Sequence, residues 1–129
     1  RGEKEDPLAA KLSQVLLLPE GSREEVETKL QRIMAVDSLL AQDDPRKTET
    51  GLHLGRLENL TEMYALVDRL ERERDAGTPD AAKIAEDLWQ LFRNYRASVP
   101  AHDPTAVRVE NDFRGLRREI ESRAATLNR

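Results

Sequence analysis

The sequence predicts an all-α fold, an antiparallel up-down bundle of four long helices preceded by a short one. Three observations carry that expectation. Apolar residues recur with the 3.6-residue period of a helix along most of the chain. Side chains that cap helices stand directly before prolines at Asp6-Pro7, Asp44-Pro45, Thr78-Pro79 and Asp103-Pro104. Charged residues make up 36% of the chain and aromatics only 4%, the balance expected of helices with a narrow apolar stripe and a solvated outer face.

The proline marks have a direct physical reading. An Asp or Thr oxygen accepts from the orphan N–H groups of a first helical turn, and proline at the first helical position gives up a donor that had no partner. A fifth start is Ser22 with Glu25 three residues on, the pattern of a capping box.

The first helix is expected over about 7–18, with Leu8, Leu12, Val15 and Leu16 on one face and Pro19 ending it. Next comes a helix over about 22–42, placing Val26, Leu30, Ile33 and Leu40 on one stripe. The third begins at Pro45 or near Gly55 and runs to Ala76, with Leu57, Leu60, Tyr64 and Val67 inward and Gly77 in the usual stop position. Leu66 and Leu70 widen its stripe, as in a helix that touches two neighbours. A fourth, over about 79–98, sets Ala81, Ile84, Ala85, Leu88, Leu91, Phe92 and Tyr95 inward, and the last, over about 104–127, repeats Val109, Phe113, Leu116, Ile120 and Leu127 as a coiled-coil-like seam.

Successive Asp/Thr-Pro marks lie 38, 34 and 25 residues apart and the residues between them do not align, which argues against a solenoid of equal repeats. At 129 residues the chain has the size of one domain. It starts at Arg1 rather than Met and reads as a segment of a longer protein, whose other parts could include a catalytic domain.

Composition removes several function classes. With no cysteine, disulfides, thiolate metal sites and cysteine nucleophiles are absent. Apolar runs such as Val15 to Leu18 fall far short of the roughly 20 residues a membrane span requires, so the expected setting is the cytoplasm. Residues 1–90 carry 13 basic and 20 acidic side chains, whereas 91–129 carry 8 and 5, so the last helix is the basic part. Arginine supplies 16 of the 21 basic residues, favouring bidentate pairing with carboxylates or phosphates.

A few positions break the pattern. Asp37 falls on the apolar face of the second helix, and His53 falls on the inward side of the third if that helix already includes it. Lying eight residues on either side of Pro45, the two would meet in an antiparallel hairpin. They are a candidate buried polar pair that fixes register; a later helix start would instead leave His53 in solvent. As an acid–base couple or half a metal site they lack support, because a di-metal bundle needs Glu-x-x-His motifs and the chain has none. Gly51 and Gly55 mark either a frayed entry to the third helix or a close backbone approach. Leu16, Leu17 and Leu18 do not share one face, so the first helix is either buried on several sides or offers Leu17 and Leu18 to a partner.

Trp89 lies about 100° from the centre of the fourth helix's stripe, beside Arg96 and at the rim. An edge Trp near Arg has the composition of a binding hot spot. Arg114, Arg117 and Arg118 point mostly outward from the last helix, interleaved with Glu110, Asp112, Glu119 and Glu121.

These features favour a non-catalytic interaction or scaffold module that docks on another protein or on itself through Trp89, Arg96, Arg114, Arg117 and Arg118, or through Leu17 and Leu18. No catalytic residue, cofactor-binding residue, metal ligand or cofactor is expected. A nucleic-acid-binding domain using the Arg-rich last helix is the first alternative, weakened by the interleaved carboxylates. The second is a small all-α enzyme working with arginines and carboxylates alone, as chorismate-mutase-like bundles do.

Overall fold

A computed structural model describes residues 6–127. Its helices are α1 (Pro7–Leu16), α2 (Arg23–Leu39), α3 (Arg46–Ala76), α4 (Ala81–Ala97) and α5 (Pro104–Leu127), so the fold is all-α and built from packed helices. Among the described residues, no helix is long and apolar enough to cross a membrane. Contacts gather into two compact units, residues 1–58 and 59–129, and α3 contributes to both.

Three of the four proline marks act as caps. Asp6 Oδ1 accepts from the Leu8 N–H at 2.9 Å, Asp44 Oδ1 from the Arg46 N–H at 2.9 Å and Asp103 Oδ1 from the Ala106 N–H at 3.0 Å. Thr78 is the exception, because α4 starts two residues later than expected, at Ala81, with Asp80 at its N-cap. Ser22 caps α2 through the Glu25 N–H at 3.2 Å while the Glu25 carboxylate reaches back to the Gly21 N–H at 2.7 Å. Gly77 closes α3 at φ 61°, its N–H on the Glu73 carbonyl, a left-handed geometry that other residues resist.

In the first unit, ion pairs show the course of the chain. Arg46, at the start of α3, binds Asp6 at the start of α1, whereas Arg56, further along α3, binds Glu20 just after α1. Helices α1 and α3 therefore run parallel, with α2 antiparallel between them, as Lys47 and Thr50 of α3 confirm by meeting Asp37 near the end of α2. Arg46 also grips Asp44, and its hydrogen bonds, from side chain and then backbone, lower that carboxyl to about 2.

The buried stripe of α2 differs from the expected one. Val26, Ile33, Val36 and Leu40 are buried, but the position between Val26 and Ile33 is filled by Lys29, only 6% exposed, while Leu30 is half-buried. The Lys29 ammonium donates to the carbonyls of Leu16 (2.9 Å) and Leu18 (3.0 Å) and to Glu20 Oε2 (2.7 Å). It thus satisfies the orphan acceptors at the end of α1. Glu20 in turn takes both terminal nitrogens of Arg56, at 2.9 and 2.5 Å.

The second unit is also up-down-up. Arg108 of α5 donates to the Tyr64 hydroxyl of α3, and Arg74 further along α3 meets Glu119 further along α5, so α3 and α5 are parallel. Helix α4 runs against α5, with Arg96 on Glu110 and Glu86 on Arg117. Leu60, Met63, Leu70, Ala85, Phe92, Val109 and Phe113 are fully buried. Two expected core residues are not: Leu91 is 48% and Leu127 74% exposed. In α4 the real stripe follows Ala81, Ala85, Leu88 and Phe92, which turns Leu91 outward.

Helix α3 starts at its proline mark and passes straight through Gly51 and Gly55, where an added Cβ would meet nothing within 4 Å. Gly51→Ala and Gly55→Ala should therefore each stabilise the protein by about 0.5–1 kcal/mol, read as a rise in urea midpoint; a loss of stability at either position would reveal a close approach at that glycine. Lys29→Ala strands the α1 carbonyls and one lone pair of Glu20, and a loss of about 2–4 kcal/mol is expected in the same measurement.

Candidate interaction site on helices α4 and α5

Trp89 sits on α4 one residue beyond the buried Leu88, so its indole leans over the seam with α5 and stays half-buried. Its inner side is held by rings from both helices. It stacks on Phe92 at 5.8 Å between centroids with 13° between planes, and lies 5.5 Å from Phe113, while Phe92 and Phe113 are 4.5 Å apart. Such clusters gain from quadrupole contacts beyond buried area alone.

Over the indole lie two guanidinium groups from α5, Arg114 at 4.7 Å and Arg117 at 5.4 Å from the ring centroid, within cation–π range. Arg114 is half exposed and donates to Glu110 Oε2 at 2.8 Å. Arg117 bridges Glu121 Oε1 at 2.7 Å and Glu86 of α4. A ladder of side chains at helical spacing thus crosses the seam, with carboxylates at its two ends and Trp89 in the middle.

Glu110 serves two cations, Arg114 and Arg96. Burial pushes its carboxyl upward, yet the hydrogen bonds from Arg114 and then Arg96 outweigh that cost and hold it below the usual value of 4.5.

The remaining sequence candidates fall into three situations. Arg96 does not cover Trp89 as its spacing suggested. It is 16% exposed, binds Glu110 at 2.9 Å and donates to the carbonyls of Val99, Pro100 and Ala101, which makes it a clamp on the turn after α4. Arg118 is exposed, and neither it nor the exposed Arg93, one turn beyond Trp89, has a hydrogen bond or ion pair among the described residues. Leu17 and Leu18 belong to the first unit, where Leu17 is 85% exposed at the end of α1 and Leu18 lines a shallow apolar notch with Pro19, Glu24, Glu25 and Thr28.

The expected Asp37–His53 pair does not form. Asp37 accepts from Thr50 Oγ1 at 2.5 Å and from Lys47 Nζ at 3.3 Å, whereas His53 Nε2 lies 3.8 Å from Glu49 on its own helix. A full turn separates the expected partner from the real one: the partner of Asp37 is the fully buried Thr50, which faces α2, and His53 is only half-buried. The Thr50 hydrogen bond, and then the Lys47 one, hold the Asp37 carboxyl below its usual value despite partial burial. Among the described residues, no group of three or more His, Asp or Glu side chains is placed to share a metal ion.

Sequence reasoning found Trp89, Arg114 and Arg117 singly but missed that they form one stack. The signal was present in part, since Phe113 lies on the α5 seam and Arg114 and Arg117 follow it one and four residues on. What the sequence lacked was the register of α5 against α4. Comparison with protein families, with curated proteins and with solved structures finds no match to this chain.

Glu110 makes the ladder sensitive to acid. A carboxyl lowered in the folded state contributes stability above its unfolded value, near 4.5, and loses it as pH falls through the folded value. Acidification from pH 6 to 3 should therefore loosen Arg114 and shift the emission of Trp89, the chain's single tryptophan. In Glu110→Gln that part of the shift should be missing; a titration identical to the parent would place its origin elsewhere.

Proposed function

We propose that the chain is a non-catalytic interaction module that docks on a partner protein through the α4–α5 face centred on Trp89. The observation that carries this reading is the indole itself. It is half-exposed, rigidly backed by Phe92 and Phe113 and covered by two guanidinium groups. A tryptophan held by packing has little side-chain entropy left to lose on binding, and Trp and Arg are the residue types that dominate binding energy at protein interfaces.

Charge compensation favours a protein over a nucleic acid here. Arg96, Arg114 and Arg117 each pair with glutamate, and the unit also holds Arg74 on Glu119. A phosphate backbone is attracted by uncompensated positive charge, which this face, among the described residues, offers only at Arg93 and Arg118.

The test compares proteins captured by the full chain with those captured by Trp89→Ala. Circular dichroism establishes that the variant is folded, and Trp89→Phe preserves the backing while removing the indole N–H and part of its area. At least one binder should be lost with Trp89→Ala, and self-association, if sedimentation detects it, should weaken in parallel. Binders and sedimentation unchanged by that substitution would remove the Trp89 face from the proposal.

A further inference from the structure

We infer that the α4–α5 strip receives an acidic segment of its partner, with partner carboxylates taking the guanidinium edges of Arg114 and Arg118 and an apolar side chain packing against the part of Trp89 that Arg114 and Arg117 leave exposed. The inference rests on the interaction reading above and adds the chemistry of the bound segment.

Geometry supplies the first argument. A guanidinium stacked on an aromatic ring has its faces occupied, but its N–H groups lie in its own plane and remain available at the edge. Arg114 and Arg117 both lie over Trp89, so their orientation is set before any ligand arrives. Arg114 is 51% exposed and spends its Nε on Glu110. That leaves the terminal nitrogens of its fork for an incoming carboxylate, the bidentate partner an arginine fork matches best.

Charge supplies the second. Arg93 and Arg118 are exposed on the turns next to Trp89 and Arg114, with no hydrogen bond or ion pair among the described residues. Together with Arg96, Arg114 and Arg117 they outnumber Glu86, Glu110 and Glu121, the carboxylates that pair with these arginines, and over the whole of α4 and α5 eight basic side chains stand against six acidic ones. The surplus is small and interrupted. A nucleic-acid backbone, charged at every step, would meet those three glutamates, whereas a peptide can place single carboxylates between them and an apolar residue against the exposed part of Trp89.

Glu110 is thereby the internal competitor for Arg114. Removing its charge should free the guanidinium and strengthen binding of an acidic segment, a gain that a purely structural role for the stack would not produce.

The experiment is a fluorescence titration of the full chain, in which Trp89 is the only tryptophan. The probes are the blocked peptide Glu-Glu-Leu-Glu-Glu, its lysine counterpart Lys-Lys-Leu-Lys-Lys, and a 20-nucleotide single-stranded DNA. The acidic peptide should give a saturable change in emission, weakened at least tenfold in the double variant Arg114→Gln, Arg118→Gln and strengthened several-fold in Glu110→Gln, with no response to the lysine peptide. Circular dichroism shows each variant folded. Absence of a saturable response, equal affinity in the double variant, or tighter binding of the DNA than of the acidic peptide each overturns the inference. Capture of a partner that depends on Trp89 but is indifferent to Arg114→Gln would leave the interaction reading standing and remove this one.

Discussion

Helix α3 runs for 31 residues, from Arg46 to Ala76, and each compact unit takes part of its core from it. Its first three turns are poorly suited to the task. Gly51 and Gly55 each cost a helix about 1 kcal/mol relative to alanine, and Leu52 is largely exposed. Polar contacts from the surrounding chain hold this stretch. Asp44 caps it, Arg46 ties it to α1, Lys47 and Thr50 anchor it to Asp37 of α2, and Arg56 anchors it to Glu20. Only from Leu57 onward does apolar burial take over, with Leu57, Leu60, Met63 and Leu70 fully enclosed.

The same exchange of apolar for ionic contacts explains the N-terminal helix. Isolated helices of ten residues are marginal in water, and Leu12 is the one buried side chain of α1. Its attachment comes from Lys29, an ammonium that occupies a core position of α2 and accepts no compromise in its hydrogen bonding, since a buried charge without partners costs several kcal/mol. The two carbonyls and Glu20 that satisfy it are the end of α1 and the turn that follows. The first unit thus adds buried charge pairing to its core of Val26, Ile33 and Leu57, and the second adds an aromatic cluster to its aliphatic core.

That contrast bears on function. On the α4–α5 face, packing and charge meet in one stack: Phe92 and Phe113 beneath Trp89, Arg114 and Arg117 above it, and glutamates holding the outer ends of the guanidinium groups. A surface assembled this way presents rigid apolar area beside oriented donors, which is the composition that makes a small patch energetically decisive in an interface. The proposed role follows from this arrangement of side chains, since a helical bundle as such implies no particular activity.

Much of this was legible in the residues alone. Periodicity and proline marks indicated five helices. The end of α3 and both ends of α5 fall where Ala76, Pro104 and Leu127 put them, while the start of α3, open between Pro45 and Gly55 in the sequence, falls at the proline mark, because capping and helical period are local properties. Asp6, Asp44, Asp103 and Ser22 act within three residues of themselves and were readable for that reason. Tertiary structure alone decided which face of each helix turns inward, which made Lys29 a core residue and moved Leu91 into solvent, and which turn of α3 meets the end of α2, which gave Asp37 to Thr50 rather than His53. It also decided that Arg114 and Arg117, not Arg96, cover Trp89, because that depends on the register of α5 against α4, which is set by the meeting of Phe92 with Phe113 across 21 residues of chain. Local rules place a helix; long-range packing chooses its rotation and register, and with them the site.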